Sequence, residues 1–298
     1  MTLSVLIPTF DYDARRLVAD IHALAVREGV EAEILVGDDA SPSGAAWLTA
    51  VESLPSVRVL RYSANAGRAA HRNRMAAEAR GQWLLFIDCD AEVPPSFSLQ
   101  AYVEAAREAA VVCGGLLTPD VNPCPEATLR YAYERAADRH RSARERSRHP
   151  HRQLSAFNLL VQRDLFLSVR FDEQCRDYGY EDALFGADLE RRHIPILHID
   201  NPLLHMGLEP NAVFLAKTET ALRTLRGLQG RMDTYSGVAT AAQRLQRCHL
   251  TWTMRMFYKL FHRPIRRNLL GPRPCLTLFK LYKLGYYLIT SQPNNLST

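Results

Sequence analysis

Short apolar runs alternate with longer helical stretches along the first 90 residues, and this alternation restricts the fold more than any other feature of the sequence. Apolar, partly β-branched runs predict four buried strands, at Ser4–Ile7, Glu33–Val36, Val57–Leu60 and Trp83–Ile87. Apolar residues at helical spacing predict the helices between them, at Arg15–Arg27, Ala45–Val51 and Ala69–Ala79. Strands that alternate with helices in this way form a mostly parallel sheet that is covered on both faces. The sequence therefore predicts an α/β fold.

The rest of the chain has a different pattern. A strand is predicted at Ser155–Val161, a helix at Glu181–Arg192 and a strand at Ile194–Ile199, and the pattern is helical from Phe214 onward. The segment Glu134–Gln153 is dense in arginine and histidine and poor in apolar residues. We expect the centre of that segment to be mobile and solvated.

Polar side chains follow three of the predicted strands at the point where each strand ends. Thr9 follows the first strand, Asp38 and Asp39 follow the second, and Asp88 and Asp90 follow the fourth. In open parallel sheets, ligands bind outside the carboxyl ends of the strands. The sequence therefore predicts a ligand site at this edge of the sheet.

The pair Asp88 and Asp90 has the chemistry of a divalent cation site. Carboxylates are hard ligands suited to Mg²⁺ or Mn²⁺, and Mg²⁺ takes one or two of them together with phosphate oxygens. A diphosphate leaving group needs such a cation to neutralise its developing charge. An ordinary acidic loop is the alternative interpretation of two aspartates at this spacing.

The segment Asn65–Asn73 is a second group of candidate residues. Gly67 permits a tight turn and a close approach of the backbone, and Arg68 and Arg72 share one helical face. Two guanidinium groups near a helix start can hold phosphates. The alternative is an exposed basic helix whose arginines pair with Glu78.

Taken in order, the segments SVLIPTF, VGDDAS, NAGRAAHRN and LLFIDCD resemble the successive motifs of family 2 glycosyltransferases, which have the GT-A fold. The resemblance covers residues 1–215 and implies a Rossmann-like, mostly parallel sheet, to which the helical and basic pattern of the following residues adds a C-terminal extension. It implies a catalytic domain at 1–215, with a nucleotide-binding half at 1–95 and an acceptor-binding half at 96–215, followed by a helical region at 216–298. Asp11 departs from the family pattern, where asparagine is common.

The resemblance also implies roles for individual residues. The expected nucleotide-sugar site comprises Pro8, Thr9, Phe10, Asp38, Asp39, Asn65, Gly67, Arg68, Arg72 and Asp88. The expected ligands of Mn²⁺ or Mg²⁺ are Asp88, Asp90 and His205. His198 is the competing candidate for the histidine ligand, and the default interpretation of a lone histidine is a structural role.

The acidic pair in Tyr178–Asp182 resembles the segment that supplies the catalytic base of the family. A carboxylate is needed there because a sugar hydroxyl is a poor nucleophile until its proton is removed. Asp182 matches the position of the base, and Glu181 is its rival or an acceptor ligand. Asn158 and Tyr180 are the other expected acceptor-binding residues. The alternative is an acidic helix N-terminus, which the helix dipole favours.

The implied activity is inverting transfer of a sugar from a nucleotide-diphosphate donor, UDP-linked by family preference, to a hydroxyl of a saccharide or lipid-linked saccharide. Synthesis of a bacterial surface polysaccharide or glycolipid is the expected setting. The alternatives are a sugar nucleotidyltransferase, whose usual glycine-rich opening loop the segment PTFDYD lacks, and a non-catalytic protein that binds nucleotide-sugars.

Charge and cysteine content bear on partners and compartment. No acidic residue follows Asp233, whereas ten lysines and arginines do. An apolar stripe at helical spacing lies among them, at Trp252, Met256, Phe257, Leu260 and Phe261. This pattern indicates either a helix on an anionic membrane surface or a helix packed on the catalytic domain. Six scattered cysteines and the absence of a secretory signal favour the cytoplasm, with peripheral membrane attachment, and no nucleic-acid partner is expected.

Overall fold

The computed structural model describes residues 1–42, 45–175, 179–228 and 230–290. Tyr178 and residues 291–298, which the sequence-based predictions include, lie outside these ranges. The strands are β1 (Leu3–Thr9), β2 (Ala32–Asp38), β3 (Val57–Arg61), β4 (Trp83–Ile87), β5 (Ala91–Glu92), β6 (Val111–Cys113), β7 (Leu116–Leu117), β8 (Asn158–Gln162), β9 (Leu197–His198) and β10 (Leu203–His205).

The helices between and after the strands begin with α1 (Arg15–Glu28), α2 (Leu48–Glu52), α3 (Arg68–Glu78), α4 (Gln100–Ala105), α5 (Thr128–Asp138), α6 (Ala143–Arg146), α7 (Arg163–Val169) and α8 (Glu181–Arg191). A 3-10 helix at Pro150–Gln153 precedes β8. The last four helices are α9 (Asn211–Gly227), α10 (Gly237–Arg247), α11 (Thr251–Leu269) and α12 (Leu276–Ile289). Within the described ranges, no helix is both long enough and apolar enough to cross a membrane.

Seven strands form the main sheet, in the order β3-β2-β1-β4-β8-β6-β9. All neighbouring pairs are parallel except those of β8, which runs antiparallel to both β4 and β6. A smaller sheet has the order β5-β10-β7. The predicted α/β fold with a mostly parallel sheet is confirmed.

Both faces of the main sheet are buried, because successive side chains of a strand point to opposite faces. Leu3, Val5 and Ile7 of β1 pack in one apolar cluster, which α1, α2 and α4 complete. Leu6 packs in a second cluster on the other face, completed by α3, α7 and α8. The strands therefore read as continuous apolar runs, and their polar groups are confined to the strand ends.

The backbone divides into two compact units. The first comprises residues 1–119, 138–176 and 181–207, and contains both sheets. The second comprises residues 120–137, 177–180 and 208–298, and its core joins Leu129 of α5 to residues of α9, α11 and α12. These compact units are defined by backbone contacts, which do not show which parts of the chain fold independently. The predicted domain limits at 95/96 and 215/216 therefore stay predictions.

The prediction of a mobile, solvated centre for Glu134–Gln153 is wrong. The segment carries the end of α5, all of α6 and the 3-10 helix. Arg146 is buried and donates hydrogen bonds to the carbonyl oxygens of Cys113 and Ile199. Composition alone suggested solvation, but backbone carbonyls at the ends of the strands take up the guanidinium hydrogens.

Candidate functional site

The carboxyl ends of β1, β2 and β4 lie side by side and bring the predicted polar residues together. Thr9 pairs with Asp38 in the register of β1 and β2, and the N–H of Asp39 donates to the Thr9 carbonyl oxygen at 3.0 Å. The Thr9 hydroxyl is buried and has no hydrogen-bond partner among the described residues. Phe10 follows with an exposed ring, and Pro8 is half-buried. This edge therefore presents an unsatisfied hydroxyl beside an exposed aromatic ring.

Asp39 shapes the turn that leads into α3. Its carboxylate oxygens accept hydrogen bonds from the N–H groups of Ala66, at 2.9 Å, and Gly67, at 3.1 Å. The side chain of Asn65 also accepts from the Gly67 N–H, at 3.0 Å. Gly67 has a φ of 80°, a conformation that favours glycine. Asp39 thus holds the backbone of the turn, while Asp38 accepts hydrogen bonds from Ser41.

Arg72 is a buried cation at the centre of the site. Its Nη2 donates to Asp88 Oδ1 at 2.5 Å, and its Nη1 lies 3.7 Å from Glu181 Oε1. Arg68 is half exposed, and its Nη1 lies 3.7 Å from the same Glu181 oxygen. The Nε and Nη1 hydrogens of Arg72 are buried without a hydrogen-bond partner among the described residues. Arg72 thus keeps hydrogen-bonding capacity on Nε and on Nη1, and Nη1 already faces the Glu181 carboxylate.

This guanidinium also controls the charge of the neighbouring carboxyl. Burial by itself would raise the pKa of Asp88, but the charges of Arg72 and Arg68 and the Arg72 hydrogen bond hold that pKa below its ordinary value. Asp88 is therefore ionised at neutral pH.

Asp90 and His205 form the other part of the predicted metal site. His205, at the end of β10, places Nε2 3.3 Å from Asp90 Oδ2, and its ring packs edge-on against Phe157. Asp90 Oδ1 is buried and has no hydrogen-bond partner among the described residues. Within those residues, no cluster of three or more histidine, cysteine or acidic side chains has metal-binding spacing. The pair still fits a divalent cation that takes its other ligands from diphosphate oxygens and water.

Gly207 was not predicted, and it limits the space around Asp90. A Cβ atom at this position would lie 1.9 Å from Asp90 Oδ2, so a larger residue would displace that carboxylate. The N–H of Met206 donates to the Asp90 carbonyl oxygen at 2.9 Å and holds the two segments together. Because Gly207 is 117 residues from Asp90 in sequence, no local pattern indicates their contact.

Asp182 lies in the first turn of α8 and has the features of a general base. Its Oδ2 accepts hydrogen bonds from the Ala156 N–H at 2.9 Å and the Ser155 hydroxyl at 3.2 Å. Its Oδ1 is buried without a hydrogen-bond partner among the described residues. Burial and the adjacent Glu181 charge raise the pKa of Asp182 to about 6, against the opposing effect of Arg72. One oxygen is thus fixed, and the other can accept a proton near neutral pH.

The other predicted residues near Asp182 differ in their surroundings. Glu181 is buried and pairs with the two arginines of α3. Tyr180 belongs to the second compact unit and has a φ of 74°, directly after Gly179 with a φ of 99°. Burial raises the pKa of Tyr180. Two consecutive residues with positive φ mark a sharp backbone turn immediately before α8.

Asn158 and His198 are both used inside the protein. The Asn158 amide donates to the carbonyl oxygens of Gly115 and Asn201, both at 2.9 Å, and accepts from the Tyr102 hydroxyl. His198 contacts Arg146 and the Pro150 carbonyl oxygen. His205, and not His198, is therefore the histidine beside the acidic pair. Contact of Asn158 with an acceptor stays a prediction.

Ser155 and Tyr12 are further residues that the sequence did not single out. Ser155 is identified by its hydrogen bond to Asp182. Burial and the charge of Asp90 raise the pKa of Tyr12 to about 12. Tyr12 stands two residues after Phe10, and an aromatic pair directly after a strand end was the signal available in the sequence.

The sequence has relatives among known proteins. A family model described as Glycosyl transferase family 2 matches residues 4–164, which is more than half of the chain. The succinoglycan biosynthesis protein ExoO of Rhizobium meliloti (strain 1021) is 33% identical over 96 residues. That match covers 32% of this chain and 27% of the relative, so the chain spans about a quarter of that protein.

Solved structures resemble the fold over a larger share of the chain. TarS of S. aureus matches with a TM-score of 0.54 and 14% identity, over 95% of this chain and 55% of the TarS chain. Mannosyl-3-phosphoglycerate synthase of Rubrobacter xylanophilus matches with a TM-score of 0.53 and 19% identity, over 76% and 74% of the two chains. At these identities the likeness shows a shared fold.

Proposed function

The chain belongs to glycosyltransferase family 2 and has the GT-A fold, and on that premise we propose that it catalyses inverting transfer of a sugar from a UDP-linked donor to a hydroxyl of a saccharide or lipid-linked saccharide. The relative named for succinoglycan biosynthesis favours a role in bacterial surface polysaccharide or glycolipid synthesis. Asp182 is the observation that carries the proposal. A buried carboxylate with one fixed and one unpartnered oxygen, and a pKa of about 6, suits the deprotonation of an acceptor hydroxyl.

Each step of the proposed reaction has a residue that can perform it. Asp182 Oδ1 accepts the proton of the attacking hydroxyl, while Ser155 and the Ala156 N–H hold Oδ2 and fix the plane of the carboxylate. Arg72 keeps its charge next to Asp88, and its unpartnered hydrogens can bind the phosphates of the leaving diphosphate. Preorganised charges of this kind act strongly because they lie in a site with little water.

Family 2 enzymes generally require a divalent cation, and Asp90 and His205, with Asp88 nearby, are the residues that would hold it. Mn²⁺ or Mg²⁺ would neutralise charge that develops on the diphosphate. On the donor side, we propose that Pro8, Thr9 and Phe10 contact the nucleoside. Asp39 contributes indirectly, because it fixes the turn from which Arg68 and Arg72 extend.

The basic C-terminal helices lead us to include an anionic membrane surface among the proposed partners. Trp252, Met256 and Leu260 lie in one line along α11, at spacings of four residues, and all three are exposed. Tyr258, Ile265 and Leu269 on the opposite face are buried. Phe257, a fourth member of the predicted stripe, is half-buried against the core of the second unit. The exposed part of the stripe is therefore Trp252, Met256, Leu260 and Phe261, and lysines and arginines flank it.

A donor screen tests the catalytic proposal. The protein is incubated with UDP-, GDP- and TDP-sugars and Mn²⁺, and release of the nucleoside diphosphate is followed by chromatography. We expect slow hydrolysis of a UDP-sugar that is abolished by EDTA and restored by Mn²⁺ or Mg²⁺. Full hydrolysis in chelator would remove Asp88, Asp90 and His205 from the mechanism, and release of a sugar 1-phosphate would contradict glycosyl transfer.

A further inference from the structure

An open depression at the end of α11, the arginine depression, takes no part in the reaction described above. It has a volume of about 590 Å³. Three arginines and two small or apolar residues line it, namely Arg263, Arg266, Arg267, Leu270 and Gly271. All five belong to the second compact unit. None of the lining residues is acidic, and no acidic residue follows Asp233 in the sequence, so the depression carries a concentrated positive charge.

The three arginines of the depression keep their hydrogen-bond donors. All three are exposed, and within the described residues none of their guanidinium groups forms a hydrogen bond or an ion pair. Cations in the last turn of a helix interact favourably with its dipole, and this accounts in part for Arg266 and Arg267. That interaction uses no guanidinium hydrogen, and it does not extend to Arg263. Each guanidinium therefore offers its planar set of donors to an anion.

The backbone beside the arginines is held by side chains of the same unit. The carbonyl oxygen of Gly271 accepts hydrogen bonds from the Asn211 amide, at 3.0 Å, and from the Thr128 hydroxyl, at 3.3 Å. Asn211 is itself buried. The side chain of Asn268 accepts from the Cys275 N–H at 2.9 Å and so closes the turn between α11 and α12. The depression thus lies on a fixed turn, and only the arginine side chains need to reorient toward a ligand.

The arginine depression continues an exposed apolar line on the same face of α11. Trp252, Met256 and Leu260 are spaced by four residues. Arg263 and Arg267 follow Leu260 at three and seven residues, and residues at these spacings share one helical face. At 1.5 Å per residue, the apolar part is about 12 Å long and the cationic part extends for a further ~10 Å. One face of α11 therefore presents exposed hydrocarbon followed by clustered positive charge.

A lipid with a phosphate headgroup has the chemistry that such a face requires. Its acyl chains match the apolar line, and its phosphate oxygens match the guanidinium donors. A phosphomonoester carries about 1.5 to 2 negative charges at neutral pH and presents three terminal oxygens. A phosphodiester presents only two such oxygens and one charge. Three guanidinium groups that line one space therefore favour a phosphomonoester, whereas diffuse attraction to a membrane would not require them to share a space.

We propose that the arginine depression binds the phosphomonoester headgroup of a membrane lipid whose acyl chains lie along Trp252, Met256 and Leu260. The volume of the depression equals that of about 20 water molecules at ~30 Å³ each, which accommodates the phosphate and its glycerol. The assignment to a membrane lipid rests on the membrane attachment proposed above. It does not depend on the catalytic role proposed for Asp182.

Partitioning to vesicles of matched charge tests the headgroup. The full chain is floated, at about pH 7.5, with phosphatidylcholine vesicles that contain phosphatidic acid, a phosphomonoester, or phosphatidylserine, a phosphodiester. The amounts of the two anionic lipids are adjusted to give the same zeta potential. We expect wild type to partition at least ~10-fold more strongly to the vesicles with phosphatidic acid. Arg263→Gln, Arg266→Gln and Arg267→Gln combined should lower this partitioning to the level seen with phosphatidylserine.

A matched variant removes the same charge elsewhere in the second unit. Arg244→Gln, Arg247→Gln and Lys280→Gln combined replace three exposed cations that do not line the arginine depression. Both triple variants lose three positive charges, so a diffuse electrostatic attraction would fall equally in the two. We expect the control to keep the preference for phosphatidic acid, and both variants to unfold at the temperature of wild type.

Equal partitioning of wild type to the two kinds of vesicle, or an equal loss of preference in both triple variants, would overturn the headgroup site and leave membrane attachment standing. Absence of flotation with every vesicle would refute membrane attachment and the lipid assignment together. Hydrolysis of UDP-sugars reports separately on the catalytic proposal, because it requires no lipid.

Glycerol 3-phosphate distinguishes a lipid from a soluble phosphate compound. It carries the same phosphomonoester without acyl chains, and its binding is compared with that of dihexanoyl phosphatidic acid by titration calorimetry. We expect the lipid to bind at least ~10-fold more tightly, because only the lipid contacts the apolar line. Equal affinity of the two compounds would assign the depression to a soluble phosphate and overturn the lipid headgroup as its ligand.

Discussion

The surroundings of Asp182 disfavour its ionised form, which is the form that the proposed reaction needs in its base. The pKa of about 6 lies above that of an unfolded aspartate, about 3.9. The ionised form is therefore destabilised in the folded protein. The contribution of this group to stability is fully present below pH ~4 and is lost as the pH rises through 6. Two pKa units correspond to about 3 kcal/mol at neutral pH.

Asp182→Asn is expected to lose at least ~100-fold in turnover and to become more stable at pH 8. The asparagine oxygen can still accept from Ser155 and Ala156, and no charge remains to be buried. Stability is measured by urea unfolding at pH 8 and at pH 5, where the gain should shrink. In wild type, kcat/KM should fall as the pH decreases through about 6. Near-wild-type turnover in the variant would move the base to Glu181.

Gly207→Ala tests the space around Asp90. The added methyl would lie 1.9 Å from Asp90 Oδ2 and 2.8 Å from Asp90 Cβ, so the carboxylate must rotate away and the two segments must move slightly apart. We expect the Mn²⁺ concentration for half-maximal activity to rise by about 10- to 100-fold, as for other residues that support metal ligands. The measurement is a Mn²⁺ titration of UDP release.

Gly237→Ala is the matched control, since a Cβ there meets no atom within 4 Å. An unchanged Mn²⁺ titration in Gly207→Ala would show that the position of Asp90 is unimportant for activity.

Residues adjacent to a strand or helix end could be placed from the sequence. Asp88 directly after β4 and Asp182 in the first turn of α8 are where the pattern put them. Arg72 was harder, because Arg68 and Arg72 share a helical face but only Arg72 is buried. Its burial depends on carboxylates from β4 and α8, which are distant in sequence. Gly207 was missed for the same reason.

At the scale of whole elements, α8 owes its position to a close approach by the preceding 3-10 helix. A Cβ at Gly186 would lie 2.3 Å from the carbonyl oxygen of His151. This approach sets the distance between Asp182, on α8, and its two hydrogen-bond donors at 155 and 156, which follow the 3-10 helix. Glycine at this position therefore permits the hydrogen-bond geometry of Asp182, the proposed base.

Gly186→Ala is expected to lower the free energy of unfolding by about 1–3 kcal/mol, the usual cost of overpacking, and to reduce turnover as well. Urea unfolding and donor-hydrolysis rates measure the two effects. Arg191→Gly, at the exposed end of α8, serves as a control that removes an exposed side chain of the same helix without altering this contact. Full activity in Gly186→Ala would mean that α8 and the 3-10 helix shift together and preserve the Asp182 hydrogen bonds.

The first four strands and three helices could be predicted because each has its own periodic pattern. The orientation of β8 could not, since an apolar run such as Asn158–Gln162 reads the same in a parallel or an antiparallel neighbour. The elements within Glu134–Gln153 were missed because they depend on contacts of Arg146 with distant carbonyls. Local patterns thus describe residues 1–95 better than residues 96–215.

At the scale of the whole molecule, the second compact unit is a structural assembly that draws on two distant parts of the chain. Leu129 of α5 is buried with Phe214 of α9, and their partners Tyr258, Ile265 and Phe279 come from α11 and α12. Removing the chain after Gly237 would expose this core. A truncation therefore cannot separate membrane binding from folding, and exposed point substitutions are required.

The exposed stripe of α11 allows such a test of membrane attachment. Trp252 and Leu260 are 71% and 67% exposed, so replacing both with serine should leave folding unchanged. Transfer of each of these two side chains from water into the membrane interface would contribute about 1.5–3 kcal/mol at most to the free energy of membrane binding. Each nearby lysine or arginine would contribute about 1 kcal/mol on an anionic surface. We expect wild type to float with anionic liposomes, and to float less at high salt or with zwitterionic liposomes. The double variant should lose at least ~10-fold in partitioning to anionic liposomes.

Val121→Ser combined with Val213→Ser is the control, because both valines are exposed, at 81% and 43%, and neither belongs to α11. Equal flotation of the two double variants would refute α11 as the membrane contact, and flotation independent of lipid charge would remove the basic residues from the interaction.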